Sequence, residues 1–149
     1  EDFLGTGRVK GIGVSNFEPA HLDALLAESP VIPALNQVEL HPGFQQQKVR
    51  EYNSAHGILT EAWAPLSRGK LTEDAVVVGL AQKHGKSPAQ VILRWHIQLG
   101  NLVIPKSSHP DRLAENFNVF DFELSEHQMQ LIATLNTETR IATNPDDMN

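Results

Sequence analysis

Lys106, Ser107, Ser108, His109 and Arg112 follow a short apolar run, Leu102-Val103-Ile104, that stops at Pro105. A helical pattern, Arg112 to Phe117, comes next. Hydroxyls and cations in such a turn can hold a phosphate, because free N–H groups, the helix dipole and fixed charge all point one way. An ordinary strand-to-helix loop with solvated basic residues has the same composition, so both readings stand at this level.

Three more strand ends carry polar groups: Ser15 and Asn16, then Gln37 and His41, then Trp63, Ser67 and Arg68. Amides and hydroxyls can grip a carboxamide through paired donor and acceptor bonds. Trp63 offers a flat face for stacking an aromatic ring. The run Leu66-Ser67-Arg68-Gly69 can wrap a pyrophosphate. Together these groups suit the three parts of a nicotinamide dinucleotide, and in parallel α/β folds ligands bind at the carboxyl ends of strands. His41 could act as an acid, but its His-Pro context reads as a structural loop. The 7 histidines, with no cysteine and no H-x-x-x-H pair, suggest no metal site.

The elements that must position these groups alternate. Strands are expected at Lys10–Val14, Ala34–Val38, Ile58–Trp63 and Leu102–Ile104. Leu22, Leu25 and Leu26 lie at helical spacing, as do Val49, Tyr52 and Ala55 within 46–56, and Val76, Val77, Leu80 and Ala81 within 73–84. Ser87-Pro88-Ala89-Gln90 and Ser125-Glu126-His127-Gln128 read as capping boxes, the first opening a helix that Gly100 ends. Leu124 and Met129 are placed as a hydrophobic staple. Residues 137–149 form a polar tail expected to wrap the surface. Four strand–helix units in a row mean a parallel α/β sheet.

Composition bounds the rest. A chain of 149 residues, 40% apolar and 20% charged, fits one globular domain with a sizeable core. A net charge of −6 argues against a nucleic-acid partner, and no apolar run approaches the roughly 20 residues of a membrane helix. A cytoplasmic protein is the expectation, with the lack of cysteine in keeping.

Several motifs resemble the aldo-keto reductase family: Gly13-Val14-Ser15-Asn16-Phe17, Asn36-Gln37-Val38-Glu39-Leu40-His41-Pro42, Ala64-Pro65-Leu66-Ser67-Arg68-Gly69 and Ile104-Pro105-Lys106-Ser107. So do Gly85-Lys86-Ser87-Pro88-Ala89-Gln90-Val91-Ile92-Leu93-Arg94-Trp95, Ala114-Glu115-Asn116-Phe117 and Phe120-Asp121-Phe122-Glu123-Leu124-Ser125. They run in family order over nearly the whole chain. Trp63, where many animal members carry tyrosine, makes the bacterial diketogluconate-reductase type the nearest resemblance.

The resemblance implies that residues 1–149 are the carboxyl-terminal half of an eight-stranded (β/α) TIM barrel, holding its strands five to eight. It implies NADPH as cofactor. Ser15, Asn16 and Gln37 would hold the nicotinamide carboxamide, and Trp63 would stack on its ring. Leu66, Ser67 and Gly69 would line the pyrophosphate. Lys106, Ser107 and Ser108 would contact the adenosine ribose and its 2′-phosphate, and Arg112, Glu115 and Asn116 the adenine. His109 departs from the arginine common in bacterial relatives, which bears on NADPH over NADH. The family's Asp, Tyr, Lys and His tetrad lies on the first four strands. The chain is therefore expected to be a fragment, inactive alone, of an enzyme reducing aldehydes or ketones. Its partners would be the amino-terminal half, or a second copy across open barrel edges. A non-catalytic half-barrel that binds nucleotide or assembles is the alternative.

Overall fold

The computed structural model describes residues 1–147, so positions 148 and 149 of the expected tail lie outside the described residues. After a short helix α1 (Asp2–Gly5), strands and helices alternate: β1 (Val14–Ser15), α2 (Pro19–Glu28), β2 (Leu35–Glu39), α3 (Gln47–Ala55) and β3 (Leu59–Trp63). Then come α4 (Ala75–His84), α5 (Pro88–Gln98), β4 (Leu102–Val103), α6 (Pro110–Phe117) and α7 (Glu126–Ala133). The four strands form one parallel sheet in the order β1-β2-β3-β4.

Most boundaries differ from the sequence reading by one or two residues, and three of the differences have a clear physical cause. The first strand pairs only from Val14, not Lys10. A Cβ on Gly13 would lie 2.8 Å from the Leu35 carbonyl oxygen, so this approach is open only to glycine. The fourth strand ends at Val103, because Ile104 precedes a proline, which restricts its backbone and supplies no N–H to the ladder. The sixth helix starts at Pro110, two residues before Arg112, with His109 extended as its N-cap and proline at its first position.

Both expected capping boxes form. Ser87 Oγ accepts the Gln90 N–H while Gln90 Oε1 accepts the Ser87 N–H, and Ser125 and Gln128 do the same. These caps anchor α5, which packs against β4, and α7, which packs against α4.

Side chains alternate across the strands, and the two faces differ. On one face Val38 and Ala62 pack with Leu40, Val77, Leu80, Val91, Ile92, Trp95, Leu124 and Ile132. On the other, the register aligns Ser15 with Gln37, Gln37 with Glu61 and Glu61 with Leu102. There Leu59 is 52% exposed, Leu102 40% and Ile104 48%.

The start of the tail is stitched to the loop after β2. The Thr137 N–H donates to the Gly43 carbonyl at 3.0 Å. The fully buried Glu39 carboxylate accepts the N–H groups of Ile141 and Ala142 and pairs with His41 Nε2 at 3.2 Å. A buried carboxylate needs such donors to offset its lost hydration.

Candidate functional site

The turn after β4 and the turn after β3 face each other across a cleft of about 640 Å³ at the carboxyl end of the sheet. Eight of the expected site residues line it: Leu66, Gly69, Lys106, Ser107, Ser108, Arg112, Glu115 and Asn116. Arg68 and His109 line it too. Among the described residues, none of Arg68, Lys106 and Arg112 joins an ion pair. The N-terminus of α6 opens at the same cleft. Ser107 Oγ accepts the His109 N–H at 3.1 Å, which shapes the turn entering that helix. Unpaired cations beside a helix N-terminus make the cleft suited to an anion.

The opposite wall is a contorted loop. Ala64, Ser67 and Arg68 all have left-handed backbones, with φ of 52°, 50° and 53°, and Gly69 follows at 87°. Non-glycine residues hold that conformation only where the surroundings impose it. Part of the imposition is His96, fully buried on α5, whose Nε2–H donates to the Pro65 carbonyl at 3.2 Å. Its Nδ1 accepts from Asn101 at 3.4 Å, and burial pushes its pKa down to about 3, so the ring is neutral. No local sequence signal marks His96 for this role. Ser67, expected to line the pyrophosphate, is 3% exposed and does not line the cleft. Its left-handed backbone turns it inward.

Two strands away, Ser15 and Asn16 line a more open hollow with Phe17, His21, Ala24, Leu25, Glu28, Pro145 and Asp146. The Asn16 N–H and the Ser15 hydroxyl both donate to the Gln37 carbonyl oxygen, at 2.8 and 3.1 Å. Buried Asn36 grips the next residue from both sides. Its Nδ2 donates to the Phe17 carbonyl at 2.8 Å, and its Oδ1 accepts the Phe17 N–H at 3.3 Å. Trp63 and Gln37, both half-buried, stand on the strands between the two hollows. The Trp63 indole N–H donates to Asn16 Oδ1 at 2.9 Å, and Gln37 Nε2 donates to Glu61 Oε1 at 2.6 Å. Glu61 was missed in the sequence, where it is one acid within an alternating strand.

Neither Tyr52 nor His41 lines the cleft or the hollow. The Tyr52 hydroxyl donates to Asp23 on α2, and that carboxylate holds the phenol above its usual pKa. His41 is buried against Glu39, and burial lowers its pKa. Among the described residues no cluster of His, Asp or Glu could hold a metal, and no helix is long and apolar enough to cross a membrane.

Known proteins resemble this chain in sequence and fold. An aldo-keto reductase of Mycolicibacterium smegmatis is 54% identical over 96% of this chain and 52% of its own length. A glyoxal reductase of Bacillus subtilis is 46% identical over 99% and 54%, and a methylglyoxal reductase of Escherichia coli 45% over 94% and 52%. The structure of Gox0644 in its apo form superposes with a TM-score of 0.94 at 46% identity, covering 97% of this chain and 54% of that one. A mutant of the same protein in complex with NADPH also gives a TM-score of 0.94 at 46% identity, covering 98% and 54%. The chain thus spans about half the length of the relatives it matches. The model of the aldo/keto reductase family matches residues 1–137, and with these identities and the shared parallel sheet the chain belongs to that family.

Proposed function

We propose that the chain is the dinucleotide-holding half of an aldo-keto reductase, with β1–β4 as strands five to eight of a (β/α) barrel. The observation that carries this reading is the cleft, with unpaired Lys106, Arg68 and Arg112 beside the N-terminus of α6; the amides of Asn16 and Gln37 stand with Trp63 on the neighbouring strand ends. Relatives named glyoxal and methylglyoxal reductases, and a neighbour solved with NADPH, support it.

Bound NADPH would supply a hydride to an aldehyde or ketone. The chain's residues would hold and orient it. Lys106, Ser107 and Ser108 would take the 2′-phosphate and ribose, with Arg112, Glu115 and Asn116 at the adenine. Leu66 and Gly69 would flank the pyrophosphate, and Ser67 would act through the fold of its loop. Ser15, Asn16 and Gln37 would hold the carboxamide, with Trp63 against the ring.

Carbonyl reduction also needs a proton donor where charge develops on oxygen. The resemblance puts the family's Asp, Tyr, Lys and His tetrad on the first four strands, and Tyr52, His41 and His96 are committed elsewhere, so the chain alone is expected to turn over no aldehyde. The exposed face bearing Leu59, Leu102 and Ile104 would be covered by an amino-terminal half carrying the catalytic groups. The same face also fits a second reading, a half-barrel that pairs with its own copy and binds nucleotide without redox chemistry. NADPH absorbance loss with a reactive aromatic aldehyde tests both. Turnover only when the missing half is supplied supports the first reading, and turnover by the chain alone overturns both.

A further inference from the structure

We propose that Glu61 is a positioning residue: its carboxylate turns the Gln37 amide so that the site reads a primary carboxamide and rejects a carboxylate or a ketone in its place. The inference rests on the dinucleotide reading above and specifies how its nicotinamide end is recognised.

An amide side chain can present either its oxygen or its NH₂, and neighbours decide which. A carboxylate only accepts hydrogen bonds. With Gln37 Nε2 donating to Glu61 Oε1 at 2.6 Å, Gln37 must present Oε1, an acceptor, on its other edge. An indole N–H only donates. With Trp63 Nε1 bonded to Asn16 Oδ1 at 2.9 Å, Asn16 must present Nδ2, a donor. Neither orientation can reverse without setting two acceptors or two donors against each other. Ser15 completes the set. Its hydroxyl hydrogen is directed at the Gln37 carbonyl, which leaves its oxygen to accept.

These groups therefore offer one fixed donor, Asn16 Nδ2, one fixed acceptor, Gln37 Oε1, and a Ser15 oxygen that accepts while its hydrogen stays on the Gln37 carbonyl. A primary carboxamide, with one carbonyl oxygen and two N–H groups, is the complement. A carboxylate would bring oxygen against Gln37 Oε1 and Ser15 Oγ. A methyl ketone would keep the carbonyl but leave both acceptors unpaired, which is costly in a desolvated site. The register opposes Gln37 and Glu61 directly on neighbouring strands, so the pair is set by the sheet rather than by a mobile loop.

The test is titration of the chain, followed by calorimetry or tryptophan quenching, with NADP⁺, its nicotinic acid counterpart and its acetylpyridine analogue. Wild-type chain is expected to bind NADP⁺ about tenfold more tightly than either analogue. In Glu61→Gln, residue 61 can donate to Gln37 Oε1 and let that amide turn, so both ratios should fall toward one. Glu61→Leu should lower them too. Because Glu61 is half-exposed, melting temperatures report folding independently. Unchanged ratios in folded variants overturn the proposal. A penalty on the acid alone also overturns it, since simple repulsion by Glu61 would spare the neutral ketone. If neither variant folds, the wild-type ratios decide, and equal binding of all three overturns it. Failure of the wild-type chain to bind any of the three overturns instead the dinucleotide reading on which the proposal stands.

Discussion

The two faces of the sheet are built on opposite principles. The helix-covered face is closed: Val38, Ala62, Ile92 and Trp95 are nearly inaccessible, and even its polar members, Asn36 and Thr60, are buried. The other face leaves Leu59, Leu102 and Ile104 exposed around a band of amides, a carboxylate and an indole. Stability is concentrated where water is excluded, whereas recognition is concentrated where polar groups keep one unsatisfied edge. The site can therefore be altered at small cost to the fold, while the core cannot be altered without losing both.

The largest expected effect tests the closed face. Trp95→Ala should cost about 3–5 kcal/mol, since it removes a fully buried indole beneath the sheet. Urea unfolding measures this, and a loss below about 1 kcal/mol would erase the contrast. Lys106→Ala tests the open side. Binding of NADPH should weaken roughly ten- to hundredfold, with a much smaller loss for NADH and an unchanged melting temperature. Equal losses for both cofactors by calorimetry would detach Lys106 from the 2′-phosphate.

Acid sharpens the comparison through His96 and His41. Burial lowers both, His96 from 6.5 to about 3. The unfolded chain takes up these protons first, so the contribution is fully present above 6.5 and is lost as pH falls toward the folded values. Stability should decline across the His96 window by up to about 1.4 kcal/mol per pH unit, with His41 adding in the same direction. His96→Gln should flatten the decline in pH-dependent melts, and a steeper decline in the variant would show the sign to be wrong. The smallest expected change is Leu59→Lys on the open face. Stability should stay within about 0.5 kcal/mol, because the side chain is half exposed already. Light scattering should nonetheless show less self-association, as the exposed apolar patch is interrupted. A wild-type chain already monodisperse at 16.5 kDa would remove that expectation.

Much of this layout was legible in sequence because its causes are local. The serine caps at Ser87 and Ser125 bond to residues three positions away, and prolines 105 and 110 restrict their own neighbours. The cationic turn at 106–112 could be read directly, since its charges are adjacent in the chain. Only the tertiary structure decided three further points. Ser67 turned away from the cleft because consecutive left-handed residues redirect the loop. His96 became the buried support of that loop because helix α5 packs its most enclosed side beneath Pro65. Glu61 met Gln37 because parallel pairing aligned two residues 24 positions apart. Alternation along a strand is dictated by its own backbone, but register is chosen by the packing of the helices between strands, and that register determined which acceptor faces which amide.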